Sequence, residues 1–148
     1  MPFASRLFVK TGILYLILVF ITGTMLLILE ALGHPAPSVI SIEHGHAGFV
    51  GWLLNTVIGV ALWLLPLNRT RFPESQGRYP ERATRTSFYL LNVGLALRLL
   101  CEPWFFSTHN TVASALLIFA AVLQLGGVAV VAWILWQRIF PAPLRPAI

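Results

Sequence analysis

The stretch Glu43-His44-Gly45-His46-Ala47-Gly48-Phe49-Val50-Gly51-Trp52 opens an apolar run that continues to Leu67, and it sets two histidines just inside one end of a long helix. At about 100° per residue, positions two apart lie about 200° apart on a helix. His44 and His46 therefore point to opposite faces. Such a pair does not close on one small ion; it suits two sites, one on each side of the helix. Gly48, Gly51 and Asn55 share the His44 face, a ridge almost free of side chains that a flat macrocycle or another helix can approach closely.

Outward from this helix the chain is apolar almost throughout. Of its 148 residues 57% are hydrophobic and 10% charged, with mean hydropathy +0.81, whereas a soluble domain carries about 25% charged residues. A bilayer core is spanned by about 20 apolar residues, and four runs qualify: Phe8–Leu32, Ala47–Leu67, Phe88–Phe106 and Val112–Trp136. The expected fold is all-α, an integral membrane four-helix bundle forming a single domain over residues 1–148. These runs leave no room for an extramembrane catalytic domain, so any activity must sit between helices or depend on a partner.

The net charge of +5 is placed as a topology signal rather than for nucleic acid. Arg6 and Lys10 precede the first span, Arg69, Arg71, Arg78, Arg82 and Arg85 fill the second connection, and Arg138 and Arg145 follow the fourth span. The connections Gly33–Glu43 and Ser107–Asn110 contain no Lys or Arg. The positive-inside rule then predicts both termini on the cytoplasmic side, a multi-pass protein of the bacterial inner membrane, and His34, His44, His46 and His109 on the outer side. The N-terminal run is too long for a cleaved signal peptide and lacks a small-x-small site, which reads as a retained signal anchor. The single cysteine, Cys101, excludes an intramolecular disulfide and a cysteine-rich metal site.

Polar residues inside the spans are the remaining signal. Thr22-Gly23-Thr24 forms a small-residue patch suited to helix packing, and Glu30 is either an interfacial charge or functional. Pro35 and Pro37 predict an extended loop over Gly33–Ser41, with His34 on its surface. Residues 68–86 read as a topology signal in contact with anionic lipid. Arg98 needs a partner inside the bundle; Glu102, one turn along, supplies one, and an anionic ligand group is the other candidate. Gln124 is expected to bond to a neighbouring helix, and Trp133 and Trp136 to anchor the fourth span at the interface. There is no phosphate-cradling glycine loop, nucleophile elbow or His-Glu-x-x-His motif, so nothing points to hydrolysis.

Neutral imidazole ligates haem iron, copper and zinc, and ligation is one way to satisfy a histidine within a membrane helix. The His-x-His pair beside a glycine face, with Arg98 at comparable depth to meet propionates, points to haem held by His44 and His46, with Gly48 beside the macrocycle and His109 as the reserve ligand. From Ile42 to Pro66 the chain also resembles the histidine-bearing tenth helix of subunit I of the haem-copper oxidases and their nitric oxide reductase relatives. In that helix a His-x-His pair supplies one ligand to each of two haems and is followed by a glycine and a proline, at the spacings of Gly59 and Pro66 from His46 here. The resemblance covers one helix. That subunit has twelve helices in three four-helix arcs, so this chain corresponds to one arc, and it lacks the further helix-borne histidines that would hold copper. Oxygen reduction at a haem-copper centre is therefore not expected.

What the resemblance implies is b-type haem bound near the outer face, serving electron transfer or the binding of a diatomic gas, with a redox partner or quinone nearby and oxidoreductase activity if any. The alternative is a cofactor-free accessory subunit or assembly factor of a respiratory complex, its histidines structural or binding copper or zinc. Opposed histidines on one helix, with too few others to complete two bis-histidine sites, further suggest a homo-oligomer, a trimer before a dimer, sharing haem between subunits.

Overall fold

The computed structural model describes residues 1–139; Arg145 lies outside them. The described residues are helical without strands, and four helices are long and apolar enough to cross a membrane: α1 (Phe3–Ala31), α2 (Ser38–Leu64), α3 (Glu81–Thr108) and α4 (Thr111–Trp136). The chain reads as a multi-pass membrane protein.

Each helix end has a local cause. After α1, Gly33 takes φ +74°, and the amides of Gly33 and His34 return to the carbonyls of Glu30 and Leu29, a left-handed cap that only glycine adopts without strain. Pro37 (φ −53°) immediately precedes α2, so the helix begins at Ser38 and brings Glu43, His44 and His46 fully inside it. The expected extended loop thus ends before Ser38, because past Pro37 nothing breaks the helix. At the far end Leu65 is extended (ψ 147°), the conformation that the following Pro66 imposes. α3 and α4 meet in a tight corner, where His109 caps α3 at φ 49° and the Asn110 side chain accepts the Val112 amide at 2.7 Å. α1, α2 and α3 extend past the apolar runs because charged residues at an interface continue a helix as readily as apolar ones do.

The helices form two hairpins, α1 on α2 and α3 on α4, each closed over glycines. A Cβ on Gly59 would lie 2.9 Å from the Ser5 carbonyl, and one on Gly127 would lie 2.7 Å from the Leu91 amide nitrogen. The hairpins join at the end of the bundle that carries the N-terminus, through Ala4, Phe8, Ile58, Leu62, Phe88, Leu91, Val131 and Ile134. There Arg138, 1% exposed, donates to the carbonyls of Leu62 (2.6 Å), Pro66 (3.1 Å) and Leu65. It thereby satisfies the orphan acceptors at the C-terminus of α2, and Tyr79 lies beneath its guanidinium. Burial holds this guanidinium's pKa below its ordinary value and pushes the Tyr79 phenol above its own.

α2 is not uniform. Residues Ala47–Leu54 are π-helical, with i→i+5 bonds in place of i→i+4. Asn55 closes this segment, its amide donating to the carbonyls of Val50 (2.9 Å) and Gly51 (3.0 Å).

Candidate functional site

At the end of the bundle opposite the N-terminus, α2 presents its two histidines to different helices. His44 faces α1, where its Nδ1 lies 3.0 Å from Thr22 Oγ1 and its ring packs over Gly23 so closely that a Cβ there would sit 2.9 Å from Cε1. The Thr22 hydroxyl donates its proton back to the Leu18 or Val19 carbonyl. With that proton so placed, Oγ1 is an acceptor for the Nδ1–H tautomer of His44, in which the Nε2 lone pair is left without a protein partner among the described residues. The contact fixes the orientation of the ring through its near nitrogen.

His46 faces α3 instead. Its Nε2 lies 3.8 Å from Glu102 Oε2, beyond hydrogen-bond range. Glu102 is engaged by Arg98, whose Nε donates to Oε2 at 2.9 Å and whose Nη2 donates to Oε1 at 3.3 Å. Arg98 thus has the internal partner anticipated for it. Glu43, one turn before His46, completes the group beside Glu102; it is 9% exposed and neither carboxyl oxygen meets a donor. Nothing in the spacing marks Glu43, because an acid near the end of a span reads as an interfacial charge until the start of α2 is known.

The glycine ridge is not open. Gly48 faces Val19 of α1 at ordinary contact distance, and a Cβ on Gly51 would meet the Tyr15 ring at 2.5 Å. Of the two occupants the ridge admits, the one observed is a helix. Asn55 leaves this face altogether. It is fully buried and accepts from Asn92 Nδ2 of α3 at 3.0 Å, because the π-helical turns intervening from Ala47 break the 100° register that placed it with His44. Gln124, expected to bond across helices, packs over Gly94 with its Nε2 unpartnered.

The remaining histidines are peripheral. His109 stacks edge-on against Phe105, centroids 5.5 Å apart, as part of the α3–α4 corner. His34 is exposed in the first connection, yet it shares with Thr22, Met25, Leu29, Pro37 and Ile40 the lining of a cavity of about 490 Å³. Among the described residues no three or more of His, Cys, Asp and Glu are gathered as a metal site. Of the two imidazoles expected to hold haem, His44 is oriented by Thr22 and His46 is turned toward a different helix; the expected macrocycle face at Gly48 and Gly51 is covered by α1. The chain matches no family model, no curated protein and no solved structure.

Proposed function

We propose that the chain is a haem-b-binding protein of the bacterial inner membrane, with both termini cytoplasmic and the histidine end outward, serving electron transfer or the binding of a diatomic gas. The observation that carries this reading is the Thr22–His44 hydrogen bond, which orients the imidazole through Nδ1 and leaves Nε2 without a protein partner among the described residues. A bound haem would supply a one-electron couple and, with one position open, a site for a diatomic ligand. The chain's own part is to orient His44 through Thr22 and Gly23 and to keep a cation, Arg98, at the same end. Support for this orientation comes from Arg69, Arg71 and Arg78, exposed on the connection at the opposite end, and from Arg82 and Arg85, exposed at the start of α3 beside it.

His44 and His46 face different helices, so these two imidazoles reach one iron only if a second copy supplies one of them. A homotrimer built like three arcs meets that need, with His46, beside α3 and its side chain 29% exposed, as the ligand shared with the neighbouring copy. The cofactor-free alternative draws support from one observation, that Arg98 and Glu102 satisfy each other within the chain. The absorption spectrum of the purified protein separates the two readings. A Soret band that shifts on dithionite reduction, lost in His44→Ala and kept in His34→Ala, is the expected result. Colourless protein after expression with ample haem, or an unchanged spectrum in His44→Ala, would refute the ligand assignment.

A further inference from the structure

The connection between α2 and α3 is folded rather than loose. The Asn68 amide donates to the Gly77 carbonyl (2.7 Å), Gly77 to Phe72 (2.8 Å) and Phe72 to Asn68 (2.9 Å). Gln76 and Gly77 turn through positive φ of 54° and 87°, and Phe72 and Tyr79 are buried beneath. This pad and the first turn of α3 border an open cleft of about 760 Å³, into whose lining Arg71, Glu74, Glu81 and Arg82 all fall.

Two guanidinium groups and two carboxylates share one cleft, yet none of them is ion-paired with another: among the described residues the ion pairs are both on Glu102, at the other end of the bundle. Glu81 is committed, its Oε1 accepting the Ala4 amide at 3.1 Å. Arg71, Arg82 and Glu74 are exposed, and among the described residues their charged groups form no hydrogen bond. Opposite charges held apart by a preformed pad suit a guest that carries both charges itself. The level of the cleft is that of the headgroups, because Trp133 and Trp136 of α4 are exposed at the same end (50% and 75%) and tryptophan anchors at the membrane interface.

The geometry points to a binding site for a zwitterionic phospholipid headgroup that carries a phosphate and a primary ammonium, as in phosphatidylethanolamine. Arg71 and Arg82 take the phosphate, which guanidinium groups bind by paired N–H donors, and Glu74 takes the ammonium. A quaternary ammonium has no N–H to donate to Glu74, and an anionic headgroup leaves that carboxylate facing no cation, so both fit less well. The inference needs only that the bundle crosses a membrane and is independent of haem.

The test is lipid retention by the full-length, delipidated protein in detergent, read by native mass spectrometry. The probes are phosphatidylethanolamine, phosphatidylglycerol, phosphatidylcholine and soluble glycerophosphoethanolamine. Phosphatidylethanolamine is expected to be held about tenfold more tightly than the other two lipids, and to lose about tenfold in Arg71→Gln or Arg82→Gln, the scale of one charge-assisted contact. Glu74→Gln should shift the preference toward phosphatidylglycerol. The three altered side chains are exposed, so an unchanged melting temperature confirms folding in each variant. Equal retention of phosphatidylglycerol or phosphatidylcholine by the wild type would overturn the proposal, as would arginine variants that bind normally. Glycerophosphoethanolamine binding as tightly as the lipid would overturn it in favour of a soluble phosphate ester.

Discussion

Thr22→Val isolates the group that orients His44. Valine has threonine's shape, so the ring keeps its seat over Gly23; what is lost is Oγ1, 3.0 Å from His44 Nδ1. The hydroxyl's own bonds to the Leu18 and Val19 carbonyls are expendable, because those carbonyls lie inside α1 and already accept helical amides. The cost to the fold is then that of one interhelical hydrogen bond in a membrane, about 0.6 kcal/mol and at most about 1.7 kcal/mol. The cost to a ligand on Nε2 is larger, because the imidazole is free to change tautomer and to turn, and loss of such an orienting partner lowers metal affinity about 10–100-fold. Thr22→Ser keeps the oxygen and should behave as wild type. The assay is titration of haem into apoprotein in lipid nanodiscs, followed at the Soret band, alongside unfolding of the apoprotein. If Thr22→Val bound haem within about twofold of wild type, the reasoning that makes Thr22 an orienting partner would fail, and with it the main support for His44 as the ligand.

Three further outcomes test the frame. Arg138→Leu strips the carbonyls of Leu62, Leu65 and Pro66 of their donor and should cost about 3 kcal/mol, the scale of hydrogen bonds to a charged group, with faster hydrogen exchange at the end of α2; Arg138→Lys should recover part of it. Gly51→Val drives a side chain into the Tyr15 ring, for which about 1–3 kcal/mol of overpacking is expected, whereas Gly48→Ala, facing Val19 across 3.8 Å, should be near neutral in the same unfolding assay. Burial raises the Tyr79 phenol above its ordinary value, so the proton is bound more tightly in the folded protein than in the unfolded one. That stability is complete below pH 10 and falls away as pH rises through the raised value; melting temperatures between pH 9 and 12 should therefore drop in wild type more steeply than in Tyr79→Phe.

The four helices were legible because apolar run length is what a bilayer selects, and four such runs with polar connections admit little else. Their ends were not, because hydropathy follows lipid contact while helix ends follow caps. Pro37, Gly33 and Pro66 set the real boundaries, and Arg6, Arg82 and Arg85 lie inside helices although they lie outside the apolar runs. The Arg98–Glu102 pair was legible from spacing alone, since i,i+4 on a helix is a contact by construction. Arg138 was legible only as a charge near a span end. That it folds back onto α2 depends on three carbonyls left over where Pro66 stops that helix, and no local pattern shows two distant segments meeting.

The His-x-His pair shows where periodic reasoning stops. Opposite faces for His44 and His46 need only two residues of ordinary α-helix, and the pair lies in the α-helical part of α2; accordingly one histidine meets α1 and the other α3. The ridge needed eleven residues of the same register, and the π-helical stretch begins at Ala47, between its first member and the rest. Gly48 and Gly51 still reach α1, but Asn55 arrives on α3, where its bond to Asn92 ties the two hairpins together. A stretch that opens the i→i+4 ladder costs backbone hydrogen bonding, and here the Asn55 amide offsets part of that cost at the Val50 and Gly51 carbonyls. Restoring α-helical register, by deleting one residue between Ala47 and Leu54, would rotate Asn55 and all that follows relative to the histidines. The deletion would therefore trade the Asn55–Asn92 contact against the placement of His44 on Thr22, and that conflict is a physical reason for a π-helical segment between them.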